Sequence, residues 1–182
     1  MTSYYGGKQL ADAFRTVRKN TLQIAEDIPE TSYGFVAAPE VRSVGRMLAH
    51  VAITTRISEE IHKKGLTTLV GFDFFEFIDR FKAEEAKPRS KAEILKLLQT
   101  EGEQFAAWLE TLTPEFLAEG VTEPDGKNSK TRFERLLGVK EHEMHHRAQL
   151  MLIERQLGIV PHLTRQFNER VAQMRAARAG NA

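Results

Sequence analysis

The stretch TRFERLLGVKEHEMHHRAQLMLIERQLG, residues 131–158, decides the fold. It opens on Thr131 with Glu134 three residues later, the capping-box pattern that starts a helix, and closes on Gly158, a residue that ends one. Between them Val139, His142, His146, Gln149, Leu150, Ile153 and Leu157 fall on one stripe at helical spacing. Lys140, Arg147, Glu154 and Arg155 fall on the other side, which reads as solvated. A long amphipathic helix must bury its stripe against other helices, so the rest of the chain is read for partners.

Three such partners emerge. Leu10, Phe14, Val17 and Ile24 predict a helix over 8–28, stopped by Pro29. Val44, Met47, Leu48, Val51, Ile57 and Ile61 predict a second over 43–65, with His50 inside the pattern. A second capping box, Ser90 with Glu93, starts a third that carries Ile94, Leu98, Phe105, Trp108, Leu109 and Leu112. Residues 30–42 read as an ordered loop, 118–130 as an exposed loop, and 161–179 as a further, more polar helix. Residues 71–78 hold four phenylalanines, too many to leave solvated, and are expected to pack as a short turn. No run alternates as a strand does. The expected fold is all-α: an up-down four-helix bundle in one domain over 1–182, with its core at about 8–158 and an additional C-terminal helix.

The composition fits. With 182 residues, 41% of them apolar, one contiguous core is feasible. The 26 basic and 25 acidic residues leave a net charge of +1, so no bulk field favours a nucleic-acid backbone. Zero cysteines exclude disulfides, iron–sulfur clusters and thiolate zinc sites, so any metal must be held by nitrogen and oxygen. The first fourteen residues carry no leader pattern, and no stretch reaches the ~18 apolar residues a membrane span needs. A cytoplasmic protein is expected, with no membrane and no nucleic-acid partner.

Three of the six histidines fall on inward stripes: His50 on the second helix, His142 and His146 on the fourth. At ~100° per residue the last two differ by about 40°, so both rings leave one face a turn apart. With a third imidazole from another helix they can meet at one divalent ion, at ~2.0–2.1 Å each for zinc. The alternative is three buried rings merely hydrogen-bonded to neighbours. His145 lies about 60° to the other side of His142 and is the second choice of ligand. His62 and His162 read as surface residues. Glu141 and Glu143 point about 100° to either side of His142 and do not easily join the site. His142-Glu143-Met144-His145-His146 matches the HExxH pattern, but a zinc protease of that type needs a different fold.

Residues 25–33 (AEDIPETSY), 39–50 (PEVRSVGRMLAH) and 142–149 (HEMHHRAQ) carry a resemblance to the DinB family of bacterial four-helix metalloproteins, related to thiol-dependent transferases. The likeness spans about 14–157. In that family the last residue of the second block and an HxxxH pair in the third bind the metal, which implies His50, His142 and His146 here. The family often has glycine where this chain has Ala148, a change that still permits close helix packing. The resemblance implies a metal-dependent enzyme, a thiol or group transferase or a hydrolase, acting on a small molecule. Zinc or nickel is the expected ion, a low-molecular-weight thiol a possible cosubstrate, and a homodimer the expected assembly, with the aromatic segment 72–77 either at that interface or packed within the chain. The alternative is a non-catalytic, metal-stabilised stress or ligand-binding protein.

Overall fold

The computed structural model describes residues 5–180, so the first four residues of the stretch read for a leader lie outside it. Helix α1 spans Gly7–Asp27 and buries Leu10, Phe14, Val17 and Ile24. Helices α2 (Val44–Ile53) and α3 (Thr55–Lys63) follow, then α4 (Phe74–Glu85), α5 (Lys91–Glu110) and the short α6 (Pro114–Ala118). A small antiparallel hairpin, β1 (Gly120–Thr122) and β2 (Ser129–Thr131), leads into α7 (Arg132–Gln156) and the terminal α8 (His162–Gly180). Both expected capping boxes form, on Ser90 and on Thr131.

The fold is a four-helix bundle of α1, α2–α3, α5 and α7, with α8 appended. Helix α1 packs against α5 and α7, and the α2–α3 pair packs against the same two. The first and second long helices therefore face each other across the bundle, as do the third and fourth. The core has two main parts: Ile24, Leu48, Leu98 and Leu150 with their neighbours, and Phe14, Phe105, Leu109 and Leu136 with theirs. Along α1 and α7, a buried ion pair of Arg18 and Glu143 lies between the two parts.

Four local expectations are corrected. The second helix is interrupted at Thr54, where the Thr54 and Thr55 hydroxyls bond the Val51 and Ala52 carbonyls and Arg18 Nη2 also reaches Val51 O. Those carbonyls are drawn away from the regular ladder. The aromatic segment is not a short turn but the start of α4: Asp73 caps Glu76 N at 2.9 Å, and Phe77 is buried and stacked on Phe81. Phe72 and Phe74 join Ile61, Leu69 and Val121 in a third cluster, leaving Phe75 exposed. The loop 118–130 contains the hairpin, anchored by wholly buried Val121; three-residue strands are too short to show alternation. Finally, Glu154, His62 and His162, read as solvated, are buried.

His62 shows why. Its Nδ1 accepts from Arg132 Nη1 at 3.1 Å, which only an unprotonated ring can do. Burial, and then the charge of Arg132, push its pKa from 6.5 down to about 4. Across that interval the unfolded chain binds a proton the folded ring refuses, so stability is fully present above pH 6.5 and falls as the pH drops towards 4. The expected loss is about 3 kcal/mol. Urea midpoints against pH measure it, and His62→Gln should flatten the curve; an unchanged slope in that variant contradicts the assignment. Glu154 is the opposite case: burial, and then Asp27, push its carboxyl up to about 7.

Candidate metal centre

His50 sits in the last turn of α2, whose cap Ser43 accepts from Arg46 N. His142 and His146 project from successive turns of α7. The fold brings these three rings together: His142 Nε2 lies 3.2 Å from His50 Nε2 and 3.1 Å from His146 Nε2. One nitrogen from each ring can be chosen so that all three lie within 4.8 Å of one another. Three imidazoles at ~2.0–2.1 Å from one ion would stand about 3.0 Å apart at right angles and about 3.3 Å apart in a tetrahedron. The two separations made by His142 fall in that interval.

The other ring nitrogens settle what faces inward. His50 Nδ1 is held by Glu85 and His146 Nδ1 lies 2.9 Å from Gln149 Oε1. Both partners accept, so each Nδ1 donates its proton and each Nε2 presents a lone pair. His142 Nε2 stands 3.1–3.2 Å from both, where it can donate its own hydrogen to one of them or turn a lone pair to a cation shared by all three. A second proton on the ring is disfavoured: burial, and then the charges of His146 and His50, push His142 down to about 4. Burial also lowers His146, although its bond to Gln149 opposes this. The donor set therefore fits a divalent cation. Among the described residues no other histidine or carboxylate joins the cluster, so a position stays open.

The HExxH match is resolved by Glu143, whose carboxylate receives Arg18 Nε at 2.9 Å and Nη2 at 2.9 Å and points away from the rings. His145 is exposed, outside the cluster, and lies 3.2 Å from the amide of Gln149, the residue that holds His146. Glu85, Gln149 and Arg42 were not anticipated as supports. Glu85 stands at the end of α4, the helix read as a turn; Phe74, Phe77 and Phe81 at helical spacing were the signal that could have found it. Burial pushes the Glu85 carboxyl up, but bonds to His50 and Arg42 outweigh it and hold it at about 2. Glu85→Gln is expected to keep the fold and to weaken zinc affinity by roughly 10–100-fold. Competition with a chromophoric chelator measures it, and affinity equal to wild type contradicts the supporting role.

Two cavities reach the rings. One, of about 250 Å³, is lined by His50 and His142 with Thr54, Ile57, Ser58, Arg135, Gly138 and Val139. The other, of about 380 Å³, lies on the His146 side, with Val41, Arg42, Met47, His145 and Leu152 among its lining residues.

Solved structures share this architecture. YfiT from Bacillus subtilis, described as a probable metal-dependent hydrolase with an unusual four-helix bundle topology, superposes with a TM-score of 0.67 at 19% identity, over 87% of this chain and 91% of that one. The DinB-like protein YjoA from Bacillus subtilis superposes at 0.62 with 22% identity, over 82% and 92%. A mycothiol-dependent maleylpyruvate isomerase superposes at 0.62 with 11% identity, over 82% of this chain and 63% of that one. No curated protein matches the chain in sequence. The family model of the DinB superfamily matches residues 13–150, a span that includes all three converging histidines. The chain belongs to the DinB superfamily.

Proposed function

We propose that the protein is a metal-dependent enzyme acting on a small molecule, with His50, His142 and His146 as the ligands of one divalent ion, zinc or nickel. The observation that carries this reading is the convergence of three imidazole nitrogens beside a cavity, with no fourth histidine or carboxylate in the cluster among the described residues. Structural zinc sites usually have four protein ligands, whereas an open position is the mark of a catalytic one. A metal bound there supplies Lewis acidity, lowering the pKa of a water or thiol held beside it. The chain's own part is positional. Glu85 and Gln149 keep the His50 and His146 protons on Nδ1, and Arg42 fixes Glu85 by donating from Nε at 2.8 Å. The chemistry this suits is hydrolysis, or transfer onto a low-molecular-weight thiol; the fold is similar to that of a protein described as a probable metal-dependent hydrolase and to that of a mycothiol-dependent isomerase, which supports both.

Metal-loaded protein incubated with thiols and electrophiles, and with small amides and esters, tests the reading. Turnover that disappears in His50→Ala is expected. Ligand binding without turnover would favour the second reading, a metal-stabilised binding protein in which the ion ties α2 to α7. That alternative draws on the same placement of one ligand on α2 and two on α7. A homodimer is also part of the proposal; since most of the aromatic segment is packed inside the chain, Phe75 and Ile78 are what it leaves exposed for an interface. A monomeric mass by light scattering at micromolar concentration contradicts it.

A further inference from the structure

The outer face of α7 is apolar at its centre. Met144 and Leu152 are 39% and 59% exposed, and Ala148 between them is exposed as well. Seven residues to either side of Ala148 stand Glu141 and Arg155, both exposed. At ~100° per residue these five positions lie within about 80° of one another and run about 21 Å along the axis. They form one stripe, on the side of α7 away from Leu136, Leu150 and Ile153, which are buried in the core.

Neither charge on the stripe is paired within the chain. The Glu141 side chain has no hydrogen bond or ion pair among the described residues. Arg155 donates from Nη1 to Met151 O at 3.1 Å and from Nη2 to Thr164 Oγ1 at 3.0 Å, and no carboxylate among the described residues stands within ion-pair distance of it. The stripe is its own complement. Reversed about Ala148, Met144 exchanges places with Leu152 and Glu141 with Arg155, so an antiparallel copy sets apolar against apolar and acid against base. The small side chain at the centre lets two helices approach closely. Two other exposed apolar patches offer less. Phe167 and Met174 on α8 share the exposed segment 166–180 with Arg170, Arg175 and Arg178 and with one acid, Glu169, so two copies of it repel. Phe75 and Ile78 on α4 make a patch only one turn long.

We infer that α7 is the contact between two copies of this chain, paired antiparallel about a two-fold axis at Ala148, with Met144 against the partner's Leu152 and Glu141 facing the partner's Arg155. The inference rests on the homodimer proposed above and places its contact on α7 rather than at Phe75 and Ile78. The ion pairs lie at the rim, where they add little affinity but set direction and register. Leu152 and the exposed Val41 also line the cavity on the His146 side, so the partner's Met144 completes the rim of that cavity.

Sedimentation velocity of the full chain across micromolar concentrations tests this, with helicity checked by circular dichroism. Wild type is expected as a dimer. Leu152→Glu, which sets an acid beside the partner's Glu141, should weaken it by about tenfold or more. Phe75→Ser should leave it within about twofold of wild type, as an exposed substitution away from the contact does. Glu141→Arg and Arg155→Glu each oppose like charges twice per dimer and should each weaken it roughly tenfold. Mixed in equal amounts, those two variants should form a heterodimer as tight as wild type, because each charge then meets its opposite. That arm stays decisive if Leu152→Glu does not fold. A dimer unmoved by Leu152→Glu, a mixture no tighter than the single variants, or a dimer lost in Phe75→Ser overturns the α7 pairing while the homodimer stands. A monomeric wild type overturns the homodimer itself.

Discussion

His146→Ala is expected to abolish stoichiometric metal binding, whereas His145→Ala leaves it largely intact. The two residues are adjacent in sequence but differ in direction. His146 is buried and places Nε2 3.1 Å from that of His142, with Gln149 fixing its proton on the far nitrogen. His145 is exposed, and its contacts within this network are a hydrogen bond to the amide of Gln149 and an edge-to-face approach of its ring to that of His146. Removing a direct ligand from a three-ligand site should cost more than the roughly 10–100-fold that loss of a supporting partner costs. Removing His145 should cost about 10-fold at most, since it supports His146 from outside the cluster, through Gln149 and a ring-edge contact. Calorimetric titration of both variants with zinc, with helicity checked by circular dichroism, separates the outcomes. If His145→Ala loses the metal and His146→Ala keeps it, the assignment of the pair on α7 is wrong.

The second large effect is on stability. Arg18 is 4% exposed and Glu143 is 2% exposed, and their ion pair lies inside the bundle. Besides Glu143 on α7, Arg18 donates from Nη1 to Leu98 O on α5 at 2.7 Å and from Nη2 to Val51 O on α2 at 3.2 Å. One α1 side chain thus bonds all three of the other long helices. The chain makes room for it at Gly102, where a Cβ would stand 2.8 Å from Arg18 Cγ. Arg18→Met leaves a carboxylate without its cation in a dry interior, a change that costs about 3–5 kcal/mol. Arg18→Met with Glu143→Leu should recover much of that, because the cost lies in the unpaired charge rather than in the lost pair. Urea unfolding measures both, and a loss under about 1 kcal/mol in the single variant contradicts the account. Since Glu143 adjoins His142, the single variant should also lower metal affinity.

The long helices were legible because their signals are local and redundant. Thr131 with Glu134 and Ser90 with Glu93 mark starts, and apolar spacing independently marks the same segments. The inward direction of His50, His142 and His146 follows from the same periodicity. What was not legible depends on partners distant in sequence. His62 is buried because Arg132, seventy residues on, donates to it. Glu154 looked solvated because charged neighbours surround it on the stripe, yet its carboxyl is enclosed without a hydrogen-bond partner among the described residues. At the break by Thr54 the local hydroxyls are joined by Arg18 from another helix, and Glu85 reaches His50 only once α4 has formed. Which long helices neighbour one another is likewise set by how the connections cross the bundle, and periodicity carries no such information.

On the proposed reading, three imidazoles from α2 and α7 hold one divalent ion and leave it a position open to solvent or substrate. X-ray absorption spectroscopy on protein purified without an affinity tag, reconstituted with zinc and freed of excess ion, tests it most directly. The account predicts one zinc per chain, three imidazole nitrogens at ~2.0–2.1 Å, and at least one further light-atom ligand that exchanges when a thiol is added and appears as a sulfur at ~2.3 Å. No bound zinc, fewer than three imidazoles, or a shell closed by a fourth protein ligand that no thiol displaces would contradict it.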